Sequence, residues 1–450
     1  VARADDGDAQ HACFLAIEGG SISESPGGVT IGANMKSISG SRPRRAAARA
    51  VIVLASCLLT LGLLEAAIRL CVPGNLWRQR DAAADWRPDP ELGWVQRPDL
   101  DVTTRTEQGW LVRYRTNPDG IAPAGARRPK PPGTIRILLF GDSTVAGRGV
   151  PPDRAIHRDL ERLLRRTGRR VEVLNAGVEG YSTDQELLLM RRLIPLYHPD
   201  LVAYALCDND FGGNESRQAY GLPKPRFTLA AGGELTYLPP AMGSPRPAAA
   251  AAGDSGGGPR QWIQRSALYR LLQPRIAVLR ARFGSWRDRN LLGIAPDFYY
   301  APERLDAIDW KLFTALLTAM DGAARSGGAR FFFYAHPALA EVWDPYIRDT
   351  ERRLGLPPGR YDRYALERRL RATAAGAGLP YCPLIDAFRA SAARGPFHLL
   401  PRDPHCNPVG YEVTAEALAR FLLSSGLIGS APLKNAPAAA AAAPRRAPSA

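Results

Sequence analysis

Short, nearly continuous apolar runs recur along the middle of this chain, at Ile135–Phe140, Val171–Leu174, Leu201–Leu206, Arg330–Tyr334 and Tyr381–Ile385. Runs without polar alternation suit strands covered on both faces, as in parallel sheets. The segments between them carry helical periodicity. In AIHRDLERLLRR, Ile156, Leu160, Leu163 and Leu164 share one helix face. In STDQELLLMRRLI, Ser182 or Thr183 caps the helix and Gln185 or Glu186 completes a capping box. The last helix opens on Asn407-Pro408, cap then first-turn proline, and runs through Val413, Leu418, Phe421 and Leu422. Strands alternating with helices imply an α/β domain. We expect a doubly wound, mostly parallel five-stranded sheet with strand order 2-1-3-4-5.

That order constrains where a ligand binds. In open parallel sheets the crevice lies outside the carboxyl ends of the strands, where strand order reverses. Ser143 follows the first strand in ILLFGDSTVAG, and Asn209 follows the third in C-D-N-D. The first and third strands are neighbours at the switch point, so these two loops face one another. Gly180 follows the second strand in N-A-G-V-E-G-Y-S, and His405 sits between the last strand and the terminal helix. Taken singly, each has a bland reading. Gly-Asp-Ser is ordinary turn and cap chemistry, and Asn-Asp ends many strands. Taken together, they supply the parts of an acyl-transfer site. Ser143 offers a hydroxyl, and His405 can accept and return its proton. Asp403 can hold the imidazole in one tautomer. The N–H groups of Ser143 and Gly180 and the amide of Asn209 can receive an oxyanion.

Other residues stand in reserve. His336 follows the fourth strand and is the alternative base; Asp386 is the alternative acid. His398 is a candidate substrate contact. Asn214, Tyr220, Trp262 and Tyr269 fall in an insertion at about 211–300 that could wall the substrate cleft. No His or Cys spacing suits a metal, so no cofactor or metal is implied. The glycine patterns of nucleotide and phosphate loops are also absent from the sequence.

G-D-S at 141–143, the Gly180 loop, N-D at 209–210 and D-P-H at 403–405 resemble the four blocks of the SGNH (GDSL-like) hydrolases, in the family's order. The resemblance spans about residues 134–428. It implies the flavodoxin-like strand order, with Ser143, Gly180, Asn209 and His405 in the four name-giving roles and Asp403 completing the triad. Two features depart from the common pattern. Arg402 stands three before His405 where the acid is usual, and Cys207 replaces the first glycine of G-x-N-D. The N-P-D-G turn at 117–120, the ending D-P-H-C-N-P-V-G-Y and an N-terminal anchor are similar to membrane-anchored bacterial members.

The anchor is read from residues 47–70. Ala50–Leu64 is uncharged and follows Arg42, Arg44, Arg45 and Arg49; extension to Ile68 adds only Glu65 as a charge. That length suits a single membrane crossing. The basic flank places the N-terminal side inside and the rest outside, periplasmic if the membrane is a bacterial inner membrane. Met35 begins an ordinary basic lead-in, so residues 1–34 of the tail at 1–46 are expected to be overhang ahead of the true start. Residues 71–133 read as an exported spacer with some β structure near Trp110–Tyr114. Residues 229–258 look like a flexible insertion, and the Ala/Pro-rich end at 429–450 like a disordered tail.

The net charge of +15 rests on Arg, since only five of the 59 basic residues are Lys. No basic stripe interleaved with aromatics accompanies it, so no nucleic-acid partner is expected. Of the six cysteines, Cys207, Cys382 and Cys406 fall in the domain, where free buried thiols are the default reading. The expected function is a serine esterase or O-acyltransferase working through an acyl-serine, with carbohydrate O-acetyl esters as the substrate class the resemblance implies. The alternative is an inactive SGNH-fold protein that binds carbohydrate or serves envelope assembly.

Overall fold

The computed structural model describes residues 42–72, 85–106, 110–147, 149–241, 266–269, 271–272, 305–354, 357–359, 362–399 and 405–428. Residues 1–34, Trp262, Asp403 and the 429–450 tail lie outside the described residues. Helix α1 spans Arg42–Cys71. Within it, the 23 residues Arg49–Cys71 include an 18-residue window of mean hydropathy 2.4, so the segment is long and apolar enough to cross a bilayer by length and composition.

Strands β1 (Trp86–Asp89) and β2 (Gly93–Gln96) form an antiparallel hairpin, as do β3 (Asp101–Arg105) and β4 (Leu111–Arg115). The β structure expected before the domain is therefore present. Beyond it, Asn117 Oδ1 accepts from the N–H groups of Asp119 and Ile121 and so closes the N-P-D-G turn. The domain then runs β5 (Ile135–Phe140), α2 (Ser143–Ala146), α3 (Ile156–Arg165), β6 (Val171–Asn175), α4 (Thr183–Tyr197), β7 (Leu201–Leu206) and α5 (Asn209–Glu215). Two small hairpins follow: β8 (Gln218–Ala219) with β9 (Leu222–Pro223), and β10 (Arg226–Leu229) with β11 (Leu235–Leu238). Next come α6 (Trp310–Ser326), β12 (Arg330–Ala335), α7 (Leu339–Val342), α8 (Asp344–Leu354), α9 (Ala365–Ala377), β13 (Tyr381–Cys382), α10 (Ile385–Ala390) and α11 (Pro408–Ser424).

The five-stranded sheet has the order β13-β12-β7-β5-β6, all pairs parallel, which is the expected 2-1-3-4-5. Alternate residues of each strand enter different cores, because side chains of a strand point to opposite faces. Leu138, Phe140, Val202 and Phe333 join Leu187, Met190 and Ile194 of α4 and Leu316 and Met320 of α6. Ile137, Leu139, Ala203 and Phe332 join Ile156, Leu160 and Leu164 of α3 and Tyr411, Val413 and Leu418 of α11. Burying one such Leu or Phe side chain stabilises the fold by about 1.5–3 kcal/mol.

The structure corrects four local expectations. The last strand stops at Cys382, because Pro383 has no N–H for the ladder, and Ile385 begins α10 instead. The capping box at α4 does not form: Ser182 makes no side-chain cap, and Gln185 Nε2 donates to Leu92 O. Leu163 is only half-buried, unlike its three partners on α3. Residues 229–238, expected in a flexible insertion, belong to the β10–β11 hairpin.

Two buried polar groups hold the frame. Arg136 on β5 is fully buried; it pairs with Glu172 and donates to the carbonyls of Arg127, Arg128 and Tyr197, binding the chain before the domain to the sheet. His157 on α3 is also buried, with Nδ1 3.2 Å from Asn175 Nδ2. Burial, with Arg158 beside it, holds the His157 pKa down to about 3 against 6.5 unperturbed. The unfolded chain therefore binds a proton that the folded chain refuses, and stability is lost as pH falls from 6.5 toward 3. At pH 5 the penalty is about 2 kcal/mol. Denaturant unfolding at pH 7.5 and pH 5 should show a pH-dependent loss smaller by about that amount in His157→Gln than in wild type.

Candidate active site

Ser143 opens α2 immediately beyond β5, at the carboxyl end of the sheet. The chain turns there because Gly141 packs without a side chain. A Cβ at that position would crowd Val145 Cγ2 and Ala205 Cβ. Asp142 caps the helix, accepting from the N–H and hydroxyl of Thr144, each at 2.8 Å. The Tyr411 hydroxyl of α11 donates to Thr144 O, fixing the turn from the other side.

His405 Nε2 lies 2.7 Å from Ser143 Oγ, although the two residues are 262 apart in sequence. Its loop is pinned at both ends. Leu399 N–H donates to His405 O and Asn407 N–H to Phe397 O, with His398 and Cys406 forming a bridge pair. Asn407 also accepts from Val409 and Gly410 N–H as the expected cap of α11. The imidazole is thus placed by backbone bonds and a helix start. Asp403 lies outside the described residues.

Asn209 begins α5 at the end of β7, and its Nδ2 donates to Asp142 Oδ2 at 3.1 Å. The Asn209 amide is therefore tied to the residue preceding Ser143. Beneath it, Asp210 Oδ2 accepts from Cys207 N–H and from the Tyr204 hydroxyl. Burial, and next the charge of Asp142, pushes the Asp210 carboxyl well above the usual range. Glu186 of α4 is likewise raised by burial and then by Asp210 and Asp142.

Gly180 sits in the loop after β6 with φ of +79°, a conformation that favours glycine. That loop is held against the Ser143 turn by Val178 N–H donating to Gly141 O. It is held against the β1–β2 hairpin by Trp94 Nε1 donating to Glu179 O, and by the Tyr181 hydroxyl donating to Trp94 O. A Cβ at Gly180 would collide with the Tyr220 ring.

The reserve residues go elsewhere. His336 packs edge-on to Tyr334, Phe388 and Tyr411, with Nδ1 3.4 Å from Cys406 Sγ. Burial, with His398 and His405 nearby, holds its pKa down to about 3, unsuited to a base cycling at neutral pH. His398 is buried, its ring toward Pro337 O and its backbone paired with Cys406 beside His405. Asp386 is exposed and engages the Tyr364 hydroxyl and Arg371. Asn214 is buried and bridges Thr183 and Asp184, not a cleft wall. Tyr269 belongs to the short stretch 266–269, its N–H donating to Ser266 Oγ. Cys207, Cys382 and Cys406 are free thiols.

The GDSL-like Lipase/Acylhydrolase family profile matches residues 139–413, well over half of the chain. The chain belongs to this family. It is accordingly an ester hydrolase of SGNH type. Solved structures similar to it include TesA, at 14% identity and TM-score 0.32, covering 64% of this chain and 97% of that one. An acetyl xylan esterase, AlAXEase, is 13% identical with TM-score 0.33 (63% and 98% covered). A family 3 carbohydrate esterase from Clostridium thermocellum is 11% identical with TM-score 0.31 (65% and 96% covered). No curated protein matches the chain.

Sequence reasoning missed three supports of this site. The sequence marks Asp142 only as turn and cap chemistry, yet it also holds the Asn209 amide. Trp94 braces the Gly180 loop from a hairpin outside the family match. Lys224 and Asp184 form a fully buried pair at 2.6 Å beside α5. The scarcity of lysine in the sequence was the available signal for the last of these.

Proposed function

We propose that Ser143, His405 and Asp403 form a nucleophile–base–acid set that transfers an acyl group from an ester. The 2.7 Å contact of His405 Nε2 with Ser143 Oγ carries this reading. With His405 neutral, the hydroxyl donates to Nε2, and as Oγ attacks the ester carbonyl the imidazole takes the proton. The oxyanion is received by the N–H groups of Ser143 and Gly180 and by Asn209 Nδ2. Asn209 can spend one amide hydrogen on Asp142 and keep the other for the oxyanion. Collapse of the intermediate breaks the C–O bond, and His405 returns the proton to the leaving alcohol. Water, or an acceptor hydroxyl, then attacks acyl-Ser143 by the same steps in reverse.

The favoured substrates are O-acetyl esters of carbohydrate, turned over by hydrolysis or by transfer to a sugar hydroxyl. This choice rests on the resemblance to membrane-anchored bacterial members and on the Tyr220 ring beside Gly180, itself packed on Trp86. We place the chain as a single-pass inner-membrane protein with the domain in the periplasm, supported by α1 and its arginine-rich start. A panel of acetylated oligosaccharides and 4-nitrophenyl esters, with water or oligosaccharide as acceptor, tests the reading on wild type and Ser143→Ala. Ser143-dependent release or transfer of acetate from the oligosaccharides is the expected result. A fluorophosphonate that fails to label Ser143 would favour an inactive binding protein instead.

A further inference from the structure

Tyr220 combines three features that packing alone does not explain. Its backbone has φ of +52°, followed by Gly221 at +72°, in the two-residue turn joining β8 to β9. Turns with both central residues at positive φ favour Asn-Gly, and a bulky aromatic at the first position is strained. The residue is nonetheless 58% exposed, so the strain is not offset by burial. The ring also lies against Gly180, where only a missing Cβ admits it.

The rings beneath it are buried. Trp86 meets the Tyr220 ring at 5.7 Å, Trp94 meets Trp86 at 5.6 Å, and Tyr181 meets Trp94 at 5.6 Å. This ladder of rings runs from the surface into the core. Next to the turn, Lys224 anchors the hairpin by donating to Asp184 and to the carbonyls of Gly213 and Pro225.

We propose that Tyr220 is the platform on which a pyranose ring of the substrate stacks while its ester group lies at Ser143. This rests on the carbohydrate-ester reading given above. An ester whose carbonyl oxygen reaches Gly180 N–H has a flanking group beside this ring. The face of an aromatic ring is electronegative, so the C–H edges on one side of a pyranose sit favourably on it. A held aromatic side chain also loses little conformational freedom when a ligand docks, so the contact contributes directly to affinity.

The test compares the full-length protein with Tyr220→Ala, Tyr220→Phe and Tyr220→Asn on an acetylated xylo-oligosaccharide and on 4-nitrophenyl acetate. Tyr220→Ala should raise KM for the oligosaccharide by about tenfold with little change in kcat, equivalent to about 1.4 kcal/mol. The ratio of kcat/KM for oligosaccharide over 4-nitrophenyl acetate should fall by the same factor, and Tyr220→Phe should retain it. Tyr220→Asn should show the same KM defect with an equal or higher Tm, a pairing that a purely structural tyrosine would not give. Equal losses on both substrates, or no loss, would overturn the proposal, as would a selective loss on 4-nitrophenyl octanoate, which would assign the ring to an acyl chain. Wild type that hydrolyses 4-nitrophenyl acetate but no acetylated oligosaccharide would instead sink the carbohydrate reading itself.

Discussion

Ser143→Ala is expected to lower kcat for ester turnover by about 10⁴- to 10⁶-fold, and His405→Ala by a similar factor. The two losses should not add. Once Oγ is gone there is no proton for His405 to accept, and once the imidazole is gone the hydroxyl is a poor nucleophile at neutral pH. The double variant should therefore lie within about tenfold of either single one. Folding offers little confusion, since both side chains sit on the rim of the sheet and neither belongs to its two apolar cores. Circular dichroism and Tm should be near wild type. Initial rates on 4-nitrophenyl acetate, with fluorophosphonate labelling as the second readout, decide the matter. A Ser143→Ala variant retaining more than about a hundredth of wild-type kcat would exclude Ser143 as the nucleophile.

Much of this was legible because parallel strands buried on both faces leave an unmistakable record. Apolar runs such as Ile135–Phe140 carry no alternation, and the chain must cover them twice. The strand order came with the family resemblance, and with it the meeting of the loops after the first and third strands. The fifth strand was overrun at Pro383 because apolar character continues past the point where the ladder can. The α4 cap misled for a different reason. Ser-Thr-Asp-Gln-Glu has the composition of a capping box, but tertiary partners took the side chains: Leu92 O claims Gln185, and Lys224 claims Asp184. Within the site, residues on strand ends were readable from their loops. Supports arriving from distant sequence were not, as Trp94 and Lys224 illustrate: no local periodicity links a hairpin at 93–96 to the Gly180 loop. Asp142 was hidden in plain view, because one carboxylate serves as helix cap and as holder of the Asn209 amide at once.

That double duty sets up the second large effect. Asn209→Ala should lower kcat by about 10²- to 10³-fold, the usual consequence of removing one oxyanion donor, with KM little changed because the donor acts mainly on the transition state. Asp142→Ala removes the acceptor that orients the amide, so it should lower kcat in the same direction while also uncapping α2, at a stability cost of about 1 kcal/mol. Combining the substitutions separates the two duties. If Asp142 acts through Asn209, the kcat loss of Asp142→Ala should largely vanish in an Asn209→Ala background, whereas its loss of stability should persist. A kcat loss of undiminished size in that background would mean that Asp142 acts on Ser143 directly, through its 3.4 Å approach to Oγ, and not by steering the amide.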